Sequence, residues 1–143
     1  WYMGLFQLPF AGLALRAMDH RLVDALWRDW SPGYALPSRE RALLHQCLRE
    51  SGAAPIEYYR AMVRPVGPAI GRLRGPLSAK LTVPTLHLQG ADDGCIGTDA
   101  ITECERYFAG PYEQRVLPGV GHFVAHEAPD VVAAMASAWF ARG

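Results

Sequence analysis

The sequence predicts an α/β protein in which a helical half precedes a half that alternates strand, helix, strand and helix. Residues 1 to about 75 carry apolar side chains at helical spacing and show no strand pattern. Two short runs rich in β-formers follow, and each ends in a glycine-containing turn. Half of the 143 residues are apolar and one in five is charged, which is typical of a folded globular chain.

Charge and cysteine content narrow the class of function. The 14 basic and 14 acidic residues give a formal net charge of zero, which argues against a protein held to nucleic acid or to an anionic membrane by bulk charge. No apolar run approaches the roughly 18 residues of a membrane span. The three cysteines are odd in number and form no CxxC pair, so we expect reduced thiols and a cytoplasmic protein.

Three helices are predicted in the first half. The first runs from Asp19 to Trp30 and is amphipathic, since its large apolar residues form one broad stripe. The second starts at Ser38 and ends at Ser51 and Gly52, and the third has Pro55 in its first turn. A stretch dense in proline and glycine follows, which predicts a helical subdomain over residues 1–76 and a second subdomain over residues 77–143.

The second half predicts part of a parallel sheet. Leu81–Gln89 is the first strand, a helix is expected over residues 98–108, YEQRVLP is the second strand, and a last helix begins at Pro129. Two strands do not form a stable parallel sheet alone, because both faces and both edges need cover. We therefore expect the rest of the sheet outside this sequence, and the aromatic opening at Trp1 likewise suggests a piece of a larger protein.

Titratable side chains follow both strands. Gly90-Ala91-Asp92-Asp93-Gly94 leaves the first strand, and Gly119-Val120-Gly121-His122-Phe123 leaves the second. Open α/β sheets place their sites at these carboxyl ends. A carboxylate that orients a histidine and stabilises its protonated form makes a general base. Asp93 is the favoured partner of His122 and Asp92 is its close competitor; a turn-forming aspartate and an ordinary loop histidine are the alternatives.

These segments resemble a known family. TVPTLHLQGADDGCIG followed by VLPGVGHFVAHEAPDVV resembles the end of an α/β-hydrolase, in which the acid and the histidine follow the last two strands. The first half, from WYMGLFQLP through DALWRDWSP to IEYYRAMVRP, resembles the helical cap of the epoxide hydrolase branch. The resemblance implies a partial α/β-hydrolase fold: a helical cap followed by the last two strands and helices of a parallel sheet.

The resemblance also implies roles for single residues. Tyr2 and Tyr59 match the two cap tyrosines that hold an epoxide oxygen, and His122, oriented by Asp93, would activate water. Two phenol donors stabilise the alkoxide that forms when the ring opens. Trp1 and Phe123 are expected to contact the substrate, a small molecule, and no cofactor is implied.

Other activities of the same fold stay open. Haloacetate dehalogenases carry Trp where Tyr2 stands, so Tyr2 favours an epoxide hydrolase. The neighbouring Trp1 leaves a haloacid or haloalkane dehalogenase as an alternative. A serine esterase is a further alternative, because the Asp or Ser elbow that precedes the cap in this family is not found before Trp1. Gly90–Gly94 matches the elbow formally, but it follows the cap, which argues against Asp92 as nucleophile. A truncated, inactive chain is the alternative outside enzymes.

The spacing of the histidines in the sequence does not predict a metal site. His122 and His126 are four residues apart, a spacing that on a helix can hold zinc. Gly121 and Pro129 crowd that segment and no third ligand is evident, so we predict no metal there. The other histidines are read as ordinary surface or packing residues: His20, His45 and His87.

Overall fold

The computed structural model describes residues 1–17, 19–64 and 79–142. The described elements, in chain order, are α1 (Tyr2–Phe6), α2 (Ala11–Arg16), α3 (Arg21–Trp30), α4 (Ser38–Ser51), α5 (Ala54–Val63), β1 (Thr85–Gly90), two 3₁₀ helices (Thr98–Ile101 and Cys104–Tyr107), β2 (Tyr112–Leu117), α6 (Val124–Glu127) and α7 (Pro129–Phe140). The predicted α/β class and the order of its strands are confirmed. None of these helices combines the length and the apolar content that a membrane span needs.

The chain divides into two compact units. The first contains Trp1–Leu26 and Leu36–Ser78, and the second contains Trp27–Ala35 and Ala79–Gly143. The end of α3 and the turn after it therefore group with the strands, a grouping that the sequence did not indicate. The boundary expected near residue 76 lies outside the described residues.

The helices in the first half of the chain begin and end largely at the residues that the sequence predicts. Helix α3 ends at Trp30, before the Ser31-Pro32-Gly33 turn, and α4 ends before Gly52, which has a φ of +61°. Pro55 lies in the first turn of α5, where a missing N–H costs nothing. Among the described residues of the first unit, the buried apolar side chains are Phe6, Ala11, Leu15, Leu26, Leu48 and Ile56.

Strands β1 and β2 pair in parallel, as predicted, with Thr85 opposite Tyr112 and Gly90 opposite Leu117. The first strand is shorter than the predicted Leu81–Gln89. Leu81 forms only an isolated bridge with Phe108. Pro84 has no N–H to donate, so the continuous ladder starts at Thr85.

The α-helix predicted over residues 98–108 is wrong. Two 3₁₀ helices occupy the segment instead. The hydroxyl of Thr102 donates to the carbonyl of Asp99 over 3.0 Å, and the Thr102 N–H points to the same oxygen. That carbonyl is the acceptor which an α-helix would offer to residue 103, so the threonine favours the tighter turn.

Candidate active site

Parallel pairing brings two loops to one edge of the sheet. Because Gly90 lies opposite Leu117, the loops that leave β1 and β2 start side by side. The Ala91 N–H donates to the Leu117 carbonyl, and the Asp92 N–H donates to the Val120 carbonyl, each over 2.9 Å. These bonds hold the loop that carries Asp93 against the loop that leads to His122.

The structure brings Asp93 and His122 together. Oδ2 of Asp93 lies 2.9 Å from Nδ1 of His122, and the Asp93 side chain is only 4% exposed. Its other partners surround both carboxylate oxygens. Gln89 Nε2 donates to Oδ2 over 2.7 Å, and the N–H groups of Cys95 and Ile96 donate to Oδ1 over 2.7 and 2.8 Å. Four donors therefore fix this carboxylate in one orientation.

These contacts keep Asp93 ionised. Burial raises the pKa of this carboxyl, but the hydrogen bonds from Ile96, His122, Cys95 and Gln89 outweigh it and leave the pKa below its ordinary value. An ionised carboxylate only accepts hydrogen bonds, so Nδ1 of His122 carries the hydrogen of the neutral ring. The lone pair then lies on Nε2, the nitrogen that can take up a proton, and the imidazole is one-quarter exposed.

A second carboxylate holds the backbone of the histidine loop. Glu127 in α6 accepts from the N–H groups of Gly121 and Phe123 over 2.7 and 3.1 Å. It also accepts from the hydroxyl of Ser31 over 2.7 Å, and the Ser31 oxygen in turn accepts from the His122 N–H over 3.1 Å. Ser31 is completely buried. The loop is thus tied to both the turn after α3 and the end of α6.

Gly121 permits this close approach. A Cβ at this position would lie 2.6 Å from Cα of Ser31, which is shorter than any side-chain carbon tolerates. The glycine therefore allows the histidine loop to lie directly on the turn after α3. The predicted glycine-bounded loop is confirmed. The close contact with Ser31 explains why the loop has glycine at position 121.

Aromatic rings from α3 flank the histidine. Trp30 lies edge-on to the His122 ring, with 5.1 Å between ring centroids. Phe123 stacks on Trp27 with centroids 3.7 Å apart and is also 5.0 Å from the imidazole. These rings give the pair an apolar surrounding on that side, which strengthens its electrostatic interaction.

The two tyrosines named by the resemblance lie together in the first unit. The rings of Tyr2 and Tyr59 meet edge to face with centroids 5.7 Å apart, and Phe6 packs 5.1 Å from Tyr59. Arg60 fixes the pairing of α1 with α5, since its guanidinium donates to the carbonyls of Phe6 and Leu8 over 3.0 and 2.7 Å. Neighbouring Tyr58 is 68% exposed. Tyr2 and Tyr59 are thus held as a pair.

The other candidates occupy less enclosed positions. Trp1 is 74% exposed and its ring lies edge-on to Tyr2, with 6.2 Å between centroids. Asp92 is exposed, and His122 contacts its neighbour Asp93 instead. His126 packs edge-on to Trp27 at 5.6 Å.

Sequence reasoning missed three residues that hold the pair. The sequence predicts Gln89 only as the end of a strand, and it assigns no role to Ser31 or Glu127. Gln89 is 6% exposed, and a buried polar side chain in an apolar strand was the one signal that could have singled it out.

The chain is similar in sequence and in structure to known epoxide hydrolases. No family profile matches the sequence. The chain is 30% identical over 135 residues to epoxide hydrolase 3 of Mus musculus, a match that covers 90% of this chain and 34% of that protein. A crystal structure described as "a putative epoxide hydrolase from Klebsiella pneumoniae" superposes with a TM-score of 0.79 and 27% identity, over 97% of this chain and 48% of that one. The chain thus spans about a third of the curated relative and about half of the solved one.

Proposed function

We propose that this chain is part of an epoxide hydrolase-like α/β-hydrolase and that it contributes the water-activating pair and the oxygen-binding tyrosines of an epoxide hydrolase. The observation that carries the proposal is the contact of the buried Asp93 carboxylate with Nδ1 of His122, 2.9 Å apart. Both relatives bear the name epoxide hydrolase. The substrate is accordingly a small epoxide.

The proposed reaction starts with a carboxylate nucleophile, a role that we assign to none of the residues above. Its oxygen attacks a ring carbon, the carbon–oxygen bond of the ring breaks, and the electron pair stays on the ring oxygen. Tyr2 and Tyr59 donate hydrogen bonds to that oxygen, and one of them gives it a proton. A positioned general acid accelerates such a step by about 10²–10⁴.

His122 acts in the second step. Nε2 takes a proton from water while the water oxygen attacks the ester carbonyl, and Asp93 stabilises the imidazolium that forms. The ester bond then breaks, the leaving oxygen takes up the remaining proton of the attacking water, the diol leaves and the nucleophile is again a carboxylate. The proton on His122 returns through solvent to the tyrosine, which closes the cycle.

The aromatic rings beside His122 favour an epoxide as the substrate. Phe123 is held against Trp27 beside the imidazole, so an apolar surface adjoins the ring of His122. Such a surface suits an apolar epoxide better than a charged haloacid. We therefore propose that the hydrocarbon part of the substrate contacts Phe123 and that Trp1 is a further substrate contact.

Product analysis tests the proposal. The protein expressed from its complete coding sequence is incubated separately with styrene oxide, chloroacetate and a p-nitrophenyl ester, and diol, chloride and nitrophenol are measured. We expect diol formation that is abolished in His122→Gln and retained in His126→Gln, a matched change four residues away. Chloride or nitrophenol release without diol would assign the protein to a dehalogenase or an esterase, and no product in any arm would indicate an inactive chain.

A further inference from the structure

A cluster of metal-ligating side chains lies in the first unit and shares no residue with the candidate active site. Asp19 and His20 form the turn before α3, and His45 lies in α4. One ligand atom from each of the three falls within 4.8 Å of the others. The sequence places no two of them at a metal-binding spacing on one helix, so the cluster arises from the packing of the turn against α4.

His20 is the unusual member. It is 3% exposed, and neither of its ring nitrogens has a hydrogen-bond partner among the described residues. Buried polar groups are nearly always paired, because leaving water without a new partner costs free energy. A ligand that binds the imidazole would remove this cost. The carboxylate of Asp19 and the ring of His45 lie close enough to bind the same ligand.

The distances suit a small cation better than direct hydrogen bonds. Asp19 Oδ1 lies 3.7 Å from His20 Nδ1, and Asp19 Oδ2 lies 3.9 Å from His45 Nδ1. Both distances exceed those of hydrogen bonds. Ligand atoms about 2.0–2.1 Å from a tetrahedral zinc ion lie about 3.3 Å from one another, so small side-chain rotations close the site.

Asp24 prepares His45 for such a role. Its Oδ1 lies 2.8 Å from Nε2 of His45. Since a carboxylate accepts, Nε2 carries the hydrogen and the lone pair lies on Nδ1, which faces Asp19. A carboxylate behind a ligating histidine is the usual arrangement in metal sites, where it fixes the ring and raises its basicity.

We propose that Asp19, His20 and His45 bind one zinc ion, with water as the fourth ligand and Asp24 orienting His45. Two imidazoles and one carboxylate favour zinc over magnesium or calcium, which prefer oxygen ligands throughout. The ion would tie the turn before α3 to α4. Arg49 is expected to weaken metal binding, because its guanidinium lies 3.3 Å from Asp19 Oδ1 and competes with the ion for the carboxylate.

The test is a zinc titration of the complete, tag-free gene product. The protein is first treated with a chelator to remove bound metal. Calorimetry is expected to show one equivalent bound, and zinc is expected to raise the melting temperature. Asp19→Asn and His45→Gln should weaken binding at least tenfold. Asp24→Asn should weaken it by about 10–100-fold, as loss of an orienting carboxylate does, whereas Arg49→Gln should tighten it.

The matched control is His87→Gln in β1, a histidine of the second unit bonded to Tyr112. It should bind zinc like the wild type. The proposal is overturned if no saturable one-to-one binding occurs, if Asp19→Asn and His45→Gln bind as tightly as the wild type, or if His87→Gln loses as much affinity as they do. Far-UV circular dichroism establishes that each variant is folded, and the exposed Asp19 position keeps the test informative if a histidine variant does not fold.

Discussion

Asp93 Oδ2 and His122 Nδ1 lie 2.9 Å apart although 29 residues separate them in sequence. The contact exists because β1 and β2 run parallel and end together, and each loop then needs only a few residues to reach the other. Gln89 and the backbone N–H groups of Cys95 and Ile96 hold the carboxylate from the other side. The pair is therefore preorganised rather than formed by chance proximity of two surface groups.

Asp93→Asn should destabilise the protein at neutral pH. The amide replaces one accepting oxygen by a donor that faces other donors, which is expected to lower the free energy of unfolding by about 1–3 kcal/mol. The pKa of Asp93 is lowered in the folded state, so its stabilising contribution is present at neutral pH. It is lost as the pH falls below about 4 and the carboxylate is protonated.

Urea denaturation at pH 7 and at about pH 3 measures this difference. The gap between the wild type and Asp93→Asn should be smaller at pH 3 than at pH 7, and exposed Asp92→Asn should show no gap at either pH. A gap of equal size at both pH values would mean that the charge of Asp93 contributes nothing.

Glu127→Gln should loosen the loop that carries His122. Glu127 accepts from Ser31 and from two backbone N–H groups, and the glutamine leaves at least one of these donors unpaired. We expect a loss of about 1–3 kcal/mol in the free energy of unfolding. Hydrogen exchange at Gly121 and Phe123 should accelerate, while Glu103→Gln, a change at an exposed ion pair, leaves it unchanged. Unaltered exchange in Glu127→Gln would show that the loop is held by other contacts.

Gly121→Ala should disturb the same loop by overpacking. Its new methyl would meet the Cα and side chain of Ser31 within 2.6–2.9 Å, so the loop must move away. Overpacking of this kind costs about 1–3 kcal/mol. Thermal unfolding should show the loss, and the His122 ring resonances should shift in NMR spectra. Gly4→Ala is the control, because a Cβ there meets nothing within 4 Å; equal melting temperatures for both variants would contradict the packing argument.

Sequence patterns predicted the parts of the site that depend on local order. Strand ends and glycine turns placed Asp93 and His122, because parallel strands bring their carboxyl ends to one edge. The bond between Ser31 and Glu127 joins residues 96 apart and could not be predicted, since nothing local to either residue records the other. The α-helix predicted over residues 98–108 is wrong for a local reason. The hydroxyl of Thr102 donates to the Asp99 carbonyl and favours a 3₁₀ turn over the α-helix that the residue propensities indicate.

The histidine cluster of the first unit escaped prediction for a similar reason. His20 was expected to be an ordinary surface or packing residue. The structure shows it buried and without a hydrogen-bond partner among the described residues. Its proximity to His45 follows from tertiary packing, so single-sequence spacing rules carry no signal for it.

Tyr59→Phe should slow ring opening in the complete gene product. Removal of one phenol donor leaves the developing alkoxide with one hydrogen bond fewer, and a loss of about 10²–10⁴ in the rate of ester formation is expected. Tyr58→Phe is the matched control, because Tyr58 precedes it in the same helix and is 68% exposed. Stopped-flow measurement of a single turnover with excess enzyme separates this step from ester hydrolysis. Equal rates for the two variants would remove Tyr59 from the reaction.

The role of His122 is tested most directly by intact-protein mass spectrometry of the His122→Gln variant after incubation with an epoxide. Water activation by Nε2 requires that the variant accumulate a covalent ester whose added mass equals that of the whole epoxide, because ring opening by a carboxylate loses no atoms. The wild type should accumulate little of this species and release diol. Diol release by His122→Gln at the wild-type rate, with no adduct on the protein, would contradict the role proposed for the Asp93–His122 pair.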